Sequence, residues 1–345
     1  MKNGKYLVLG IESSCDDTSA SIVADGRELL SLSVSSQIDI HTLYGGVVPE
    51  IASRNHLKNI NTVIQKAVEE SGIGFDDIDL IGVTCGPGLI GALLVGVSAA
   101  KALAFALDRP IAGVHHLQGH IAANYIQSPE LEPPFTAVVA SGGNTDIIDV
   151  RGYNDLVMLG QTRDDAAGEA MDKVARVMGI GYPGGPVIDR LAKDGDPDAI
   201  EFKRVMLEKG SFDFSFSGLK TQVINYVNHE RMLGHEIHQN DLAASFQQSI
   251  MEVIVTKALE AAEQYGRDKI ALAGGVASNS LLRRLMEEAC RRNGLAYYRP
   301  EPVLCTDNAA MIACAAYYKA QEGLFSDLSL DAYPVLDLRW GIKAE

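Results

Sequence analysis

One pattern occurs twice in this chain and limits its fold more than any single motif does. An apolar run at 6–11 meets a polar turn at 12–18, then an alternating strand at 19–24, and a third strand at 28–34 follows the Asp25-Gly26 turn. About 130 residues on, 135–140 is again apolar, 141–145 again a polar turn and 146–150 again a strand, with 152–155 turning into 156–159. Short apolar runs bounded by Gly, Asp and Ser read as buried strands joined by tight connections. The letters differ while the pattern recurs, which predicts two related lobes facing a cleft. The proline- and acid-rich stretch 128–134 is the linker between them. The expected division is a first lobe over 1–133, a second over 134–330 and a tail over 331–345.

Between these repeats the chain alternates strands and helices. Residues 49–71 form an amphipathic helix carrying His56, Ile60, Val63, Ile64 and Ala67, and 79–85 is a strand. The turn Gly86-Pro87-Gly88 opens an apolar stretch, 89–107, which is expected to be a buried core helix rather than a membrane span, since it holds Lys101 and several Gly and Ala. That turn lacks the Lys-Ser/Thr of a P-loop and the spacing of a dinucleotide fingerprint, so phosphate binding is not expected there. Strand 110–114 follows. Later come a helix at 164–178 with Glu169 and Asp172, a loop Tyr182-Pro-Gly-Gly-Pro186 whose glycines permit close backbone approach, and a long helix at 241–265. Strands at 269–273 and 296–299 lead to Gly274-Gly-Val-Ala-Ser-Asn279 and to Cys305-Thr-Asp-Asn308, each opening a helix. This alternation predicts largely parallel sheets with functional loops at the strand C-terminal ends.

The run His115-His-Leu-Gln-Gly-His120 puts three of the chain's eight histidines into six residues. His116 and His120 are four apart, so on a helix they stack on one face. Two such imidazoles can share a metal ion, and iron, zinc, copper and nickel all suit them. An isolated pair at this spacing is equally well a helix with hydrogen-bonded histidines. Asp307 is the best third ligand, because a carboxylate in a strand-to-helix loop can point at a cleft. It is also placed to cap the following helix, with Asn308 as the competing cap. Two histidines and one carboxylate leave coordination positions open, as a catalytic centre requires.

With 30 Lys and Arg against 45 Asp and Glu, the formal charge is −15. Such a balance disfavours an unaided grip on nucleic acid. The local basic cluster, Arg283, Arg284, Arg291, Arg292 and Arg299, reads mainly as a solvated helix face. The five cysteines, Cys15, Cys85, Cys290, Cys305 and Cys314, form no Cys-x-x-Cys pair. Reduced thiols and a cytoplasmic location are therefore expected. The apolar run at 6–11 is too short for a leader and carries no cleavage signal.

Seven motifs in order carry a resemblance. They are Ile11-Glu-Ser-Ser-Cys-Asp-Asp-Thr18, His115-His-Leu-Gln-Gly-His120, Ser141-Gly-Gly-Asn-Thr145, Tyr182-Pro-Gly-Gly-Pro186, Phe214-Ser-Phe-Ser-Gly-Leu-Lys-Thr221, Gly274-Gly-Val-Ala-Ser-Asn279 and Cys305-Thr-Asp-Asn308. Together they resemble the TsaD family of tRNA adenosine threonylcarbamoyltransferases, once described as glycoproteases. The resemblance implies an α/β, actin-like and sugar-kinase-like (ASKHA) fold of two duplicated ribonuclease-H-like lobes around a cleft. It implies one divalent metal ion, Fe2+ by expectation and zinc as the alternative, on His116, His120 and Asp307. It places an adenylate against Val139, Ala140, Ser141, Gly142, Gly143, Asp172, Gly185, Asp189 and Asn279. The substrate there is threonylcarbamoyl-AMP, and ATP or AMP can occupy the same site. The implied reaction moves the threonylcarbamoyl group to N6 of the adenosine at position 37, 3′ of the anticodon, in tRNAs reading codons that begin with A. Glu12 and Asp16 would face the cleft, one of them helping to deprotonate the amine. The implied partners are tRNA, a related actin-fold scaffold subunit (TsaB-like) and an ATPase subunit (TsaE-like), with no membrane and no DNA. Two positions depart from the family pattern: Asn144 stands where bacterial members commonly have His, and Gln118 where Glu is frequent.

Three rival readings are weaker. A zinc metalloprotease needs His-Glu-x-x-His, with Glu as the general base, and Leu117, Gln118 and Gly119 supply none. A small-molecule kinase of the same fold would need a catalytic Asp motif that is not recognisable here. A non-catalytic scaffold paralogue would not be expected to keep His116, His120 and Asp307 together.

Overall fold

The connections between the first three strands are too short for crossovers, so those strands must pair antiparallel. In the computed structural model, which describes residues 4–340 apart from 206, 207 and 209, they do. The last five residues of the expected 331–345 tail lie outside the described residues. In chain order the elements are β1 (Leu7–Glu12), β2 (Asp17–Ala24), β3 (Glu28–Ser36), α1 (Ile38–Thr42), α2 (Pro49–Ser71), β4 (Leu80–Gly86), α3 (Ile90–Leu107), β5 (Ile111–His115) and α4 (His116–Gln127). Then come β6 (Phe135–Ala140), β7 (Thr145–Val150), β8 (Leu156–Gln161), α5 (Ala167–Met178), α6 (Gly184–Ala192), α7 (Ser217–Leu233) and α8 (Gln239–Gln264). The chain ends with β9 (Lys269–Ala273), α9 (Ser280–Asn293), β10 (Ala296–Tyr298), α10 (Pro302–Cys305) and α11 (Ala309–Gln321).

These elements form two units. The first runs to residue 133 and takes in 150–157 and the chain from 300 onward; the second comprises 134–149 and 158–299. Arg27 binds 150–157 into the first unit. Its guanidinium lies 5.6, 5.8 and 5.7 Å from the ring centroids of Tyr125, Tyr153 and Tyr318, and it donates to the Tyr153 hydroxyl at 2.8 Å.

The first sheet has the order β3-β2-β1-β4-β5, and the second β10-β9-β6-β7-β8. Read from its other end, the second sheet repeats the first, with β6, β7 and β8 in the places of β1, β2 and β3. The repeated sequence pattern is thus a repeated sheet. The expected parallel character holds on one flank only. In the first sheet β1, β4 and β5 are parallel, while β1, β2 and β3 are antiparallel. In the second, β6, β9 and β10 are parallel.

Two local expectations need correction. Gly184 and Gly185 do not lie in a loop; they form the first turn of α6. The apolar stretch α3 is not a wholly buried helix. Leu93, Val97, Ala100 and Ala104 are buried, whereas Ile90, Leu94 and Phe105 are exposed, Phe105 by 77%. Among the described residues α3 is the one helix long and apolar enough to cross a membrane, yet its buried side belongs to the first unit's core.

The helix that matters most for the site is α11, which lies across β1 and β4 of the first sheet. Its inner face is alanine, and the strands answer with glycine. A Cβ on Gly10 would stand 2.1 Å from the Ala309 carbonyl oxygen and 2.7 Å from the Ala313 nitrogen, both backbone atoms that cannot swing away. We expect Gly10→Val to destabilise the protein by about 3 kcal/mol through overpacking, read as a lower midpoint of thermal or urea unfolding. Gly152→Ala, whose Cβ meets nothing nearer than 3.5 Å, should leave the midpoint unchanged.

Candidate functional site

Strand β5 ends at His115, and α4 begins at His116. His115 is the N-cap: its Nδ1 accepts from the Leu117 N–H at 3.1 Å, and its Nε2 donates to the Leu336 carbonyl at 3.2 Å. Burial pushes its pKa down to about 4, so it serves as a neutral structural imidazole. That leaves His116 and His120 one turn apart on α4, with ring centroids separated by 4.6 Å. Gly119 between them leaves room for α11, since a Cβ there would stand 2.6 Å from Ile312 Cδ1 and turn that side chain aside.

Asp307 reaches the histidines because it is not the cap of α11. Asn308 takes that role, its side chain accepting from the Met311 N–H at 3.0 Å. Asp307 Oδ1 then lies 3.4 Å from His116 Nε2 and 3.2 Å from His120 Nε2. One ligand atom from each of the three residues falls within 4.8 Å of the others. Both ring nitrogens of His120 are buried without a hydrogen-bond partner among the described residues. Buried polar atoms are rarely left so, and each such case asks for an explanation. A metal ion among two imidazoles and a carboxylate supplies one for His120 Nε2, and this donor set fits iron or zinc.

Behind His116 stands Glu12, fully buried at the end of β1. Its Oε2 is 3.2 Å from His116 Nδ1 and accepts from Thr84 Oγ1 at 2.6 Å, while Oε1 accepts from the Ser14 N–H at 2.5 Å. Nδ1 therefore carries the proton, a tautomer assigned from the hydrogen bonds, and Nε2 presents its lone pair toward Asp307. Burial alone would raise the Glu12 and Asp307 carboxyls, but the His116 charge beside both holds them below their ordinary values. Burial would lower His116, and Asp307 and Glu12 instead hold it well above its usual value. The surplus of negative charge that favours a protonated imidazole equally favours a divalent cation. Asp16, in the same turn, has no hydrogen bond or ion pair to either histidine and remains half-exposed. Thr84 and Ser14 escaped sequence reasoning. The one signal for Thr84 was a hydroxyl near the end of an otherwise apolar strand.

In the second unit, β6 ends in a turn closed by Ser141 N–H to the Asn144 carbonyl at 2.8 Å, leaving Gly142 and Gly143 exposed. Val139 and Ala140 lie at the end of β6, where Gly274 (φ 86°) passes so close that a Cβ would stand 2.4 Å from the Ala140 oxygen. Asp172 on α5 accepts from the Gly184 N–H at 2.6 Å, so it caps α6 across space and sits beside Gly185. Its burial raises its pKa against the pull of the Gly184 and Gly185 N–H groups. Asp189 Oδ1 accepts from Ser280 Oγ at 2.8 Å and from Gln247 Nε2 at 3.2 Å. Asn279 caps α9 through Leu282 N and donates to Gln247 Oε1 at 3.1 Å. Gln247, absent from the sequence-based set, thus joins Asp189 to Asn279. These positions form a run of turns and helix starts whose backbone N–H groups suit a phosphate-bearing ligand.

With this geometry in hand, comparison with known proteins is direct. Residues 28–314 match the profile of the TsaD family, tRNA N6-adenosine threonylcarbamoyltransferase. The chain is 54% identical over 332 residues to the protein of that name from Clostridioides difficile strain 630, covering 96% of this chain and 98% of the relative. It is 53% identical over 334 residues to the protein of the same name from Clostridium perfringens strain 13, covering 97% and 98%. Among solved structures, the HypF of T. kodakarensis superposes with a TM-score of 0.63 at 15% identity, over 92% of this chain and 48% of that one. Component A of the Acidaminococcus fermentans (R)-2-hydroxyglutaryl-CoA dehydratase gives 0.53 at 17%, over 92% and 99%. These structural likenesses show the fold alone, which is the actin-like α/β fold. The chain belongs to the TsaD family.

Two outcomes follow from the site. Glu12→Gln and Thr84→Val loosen the His116 ring, and should each weaken metal retention about tenfold or more, measured as metal per chain after dialysis against a graded chelator. Unchanged retention in both would remove Glu12 from the metal's support. In the second unit, Asp146 is buried with Oδ2 unpartnered, and burial raises its pKa to about 7. An unfolded Asp titrates near 3.9, so the unfolded chain sheds this proton first. Stability from this group is full below about pH 4 and is lost as pH rises toward 7. Asp146→Asn should therefore gain in unfolding midpoint over the parent, and the gain should grow from about pH 5 to about pH 8.

Proposed function

We propose that this chain transfers a threonylcarbamoyl group from threonylcarbamoyl-AMP to N6 of the adenosine at position 37, 3′ of the anticodon, in tRNAs that read codons beginning with A, releasing AMP. The family to which it belongs gives the reaction class, and the observation that carries the reading is the convergence of His116, His120 and Asp307. In the reaction N6 attacks the carbamoyl carbonyl carbon, the new C–N bond forms, and the C–O bond to the adenylate phosphate breaks as AMP leaves. The amine gives up a proton. An exocyclic amine conjugated with a purine ring is a weak nucleophile, so orientation and charge stabilisation must supply the rate.

His116, His120 and Asp307 would hold one divalent ion, Fe2+ or zinc, which when bound offers Lewis-acid stabilisation to an oxygen of the donor. The chain's own residues do the rest. Glu12 holds the His116 tautomer and is spent on that task, with both oxygens engaged. Asp16, half-exposed in the same turn, is the carboxylate free to take the amine proton. In the second unit, Gly142 and Gly143 bring backbone N–H groups to the adenylate, together with Val139, Ala140, Ser141, Gly185 and Asn279. Asp189 keeps Oδ2 open for a ribose hydroxyl, and Asp172 offers the oxygen that Gly184 does not take.

The −15 charge favours recruitment of tRNA with help. We assign that help to a TsaB-like actin-fold scaffold and a TsaE-like ATPase, acting in the cytoplasm. The exposed apolar residues Leu57, Ile90, Leu94 and Phe105 on α2 and α3 support a protein partner. A protease reading is not favoured. Leu117, where the general base would stand, is a buried leucine, and Gln118 is turned to Asn154 Oδ1 at 2.8 Å.

The test is mass-resolved nucleoside analysis of tRNA incubated with this protein, its candidate partners, threonine, bicarbonate and ATP. We expect N6-threonylcarbamoyladenosine with the parent and a fall of about a hundredfold or more with His116→Ala or His120→Ala. Wild-type levels in both variants would sink the metal role. Release of peptides from a glycoprotein by the metal-loaded protein alone would revive the protease.

A further inference from the structure

Away from the candidate metal cluster, the first unit contains a polar cavity. Lys319, near the end of α11, is only 3% exposed, yet its ammonium makes no hydrogen bond or ion pair among the described residues. Its clearest neighbour is the Trp340 ring, 5.5 Å from Nζ to the centroid. A cation over an indole face is attracted weakly, far less than water or a counter-ion would hold a buried ammonium. Burial accordingly depresses the Lys319 pKa, with Cys85 and Glu322 offsetting only part of that fall. Among the described residues this interior cation has the indole ring beside it and no hydrogen-bond or ion-pair partner.

Lys319 lines a cavity of about 270 Å³ together with Ser326, Asp327, Ser329, Tyr333 and Trp340, closed by Leu324, Phe325 and Leu330. The hydrogen-bonding balance of these walls is one-sided. Neither the Tyr333 hydroxyl nor the Trp340 indole N–H has a hydrogen-bond partner among the described residues. Two of the acceptors are already engaged: Ser326 Oγ takes the Gly113 N–H at 3.0 Å, and Asp327 Oδ1 takes the Ser329 N–H at 2.7 Å as well as the Ser329 hydroxyl. Asp327 itself is exposed at the rim rather than enclosed. A space with unspent donors, a single buried positive charge and few free acceptors matches a ligand that only accepts.

We propose that this cavity is a binding site for a small oxyanion, carboxylate or phosphate, with Lys319 as its counter-charge. A volume of about 270 Å³ holds a small oxyanion together with the water that accompanies it. The site is also tied to the segment that holds the α4 N-terminus. Tyr333 N–H donates to the Cys85 carbonyl at 2.7 Å, Gly88 N–H to the Pro334 carbonyl at 3.3 Å, and His115 Nε2 to the Leu336 carbonyl. An anion between Lys319 and Trp340 therefore fastens the 330–340 segment where it supports β4 and β5.

The molecule carries its own reporter, because Trp340 is the only tryptophan in the chain. Full-length protein is titrated with sodium phosphate, acetate and bicarbonate separately, against sodium chloride at equal ionic strength. We expect a saturable change in tryptophan emission and a raised unfolding temperature with phosphate, with a carboxylate or with both, and which anion acts tells the two chemistries apart. Lys319→Met should lose both responses, and Lys319→Arg should retain them. A response that is linear, matched by chloride, or undiminished in Lys319→Met overturns the proposal. A measurement on the unaltered protein guards against a variant that fails to fold. Acetic anhydride labelling of Lys319, followed by peptide mass spectrometry, should slow about tenfold at ten times the anion's midpoint concentration. No slowing would overturn the proposal just as firmly.

Discussion

The close seating of α11 is the contact on which the candidate metal centre depends. Asp307 stands at the N-terminal end of that helix, and its two partners stand on α4. Neither pair of elements could approach so closely if ordinary side chains lay between them. Gly10 lets the start of α11 rest on β1, and Gly119 lets its flank rest against α4. The alanines of α11 complete the fit, at Ala309 and Ala313 against Gly10. Close packing of this kind transmits displacement instead of absorbing it. A side chain added at Gly10 is therefore felt at Asp307, even though the two are not in contact. The glycine inside His-Leu-Gln-Gly-His ligates nothing; it leaves room on α4 for Ile312 and Met311 of the helix that follows Asp307.

Sequence reasoning reached what periodicity and spacing encode. The strand pattern at 6–34 and 135–159 is found again as matching halves of the two sheets. The spacing of His116 and His120 places both rings on one helix face, and the helix expected at 49–71 is α2 with the same bounds. What it could not reach was the allocation of polar groups among competing partners. Read locally, the sequence favours Asp307 as the α11 cap, and it is Asn308 whose side chain takes that role in the structure. Asp172 is spent partly on a helix that begins twelve residues later, a tertiary cap that no local rule encodes. Gln247 and Thr84 lie far along the chain from the groups they serve. The sidedness of α3 was also illegible, since its apolar residues surround the helix and only packing decides which of them face water.

The polar groups around the metal cluster fall into two kinds, and the difference bears on chemistry. Glu12, Thr84 and Ser14 are inward and mutually satisfied, so their geometry is fixed by one another. Such groups position; they have no free lone pair aimed at a substrate. Asp16 is the opposite case, half-exposed and without a bond to either histidine. A group that must accept a proton during the reaction needs that freedom, because a carboxylate already saturated by donors is a poor base. The same logic separates the acids of the second unit. Asp189 binds protein donors through Oδ1 while its other oxygen stays free, an arrangement that holds the carboxylate rigid and leaves one acceptor for a ligand.

Charge gives the last constraint. A chain with 15 more acidic than basic residues repels a polyanion at long range, and added salt screens that repulsion. A divalent ion held by His116, His120 and Asp307 would change the sign of the local field without changing the net balance much, and would attract a phosphate or carbonyl oxygen at close quarters while the surface still repels a whole tRNA. Binding of the small donor and capture of the large acceptor therefore call for different solutions. In the proposed function the first falls to fixed donors and a metal on this chain. The second, in the same proposal, calls for positive charge from elsewhere, and the partner proposed above would meet the exposed apolar residues of α2 and α3 with little loss of hydrated polar surface.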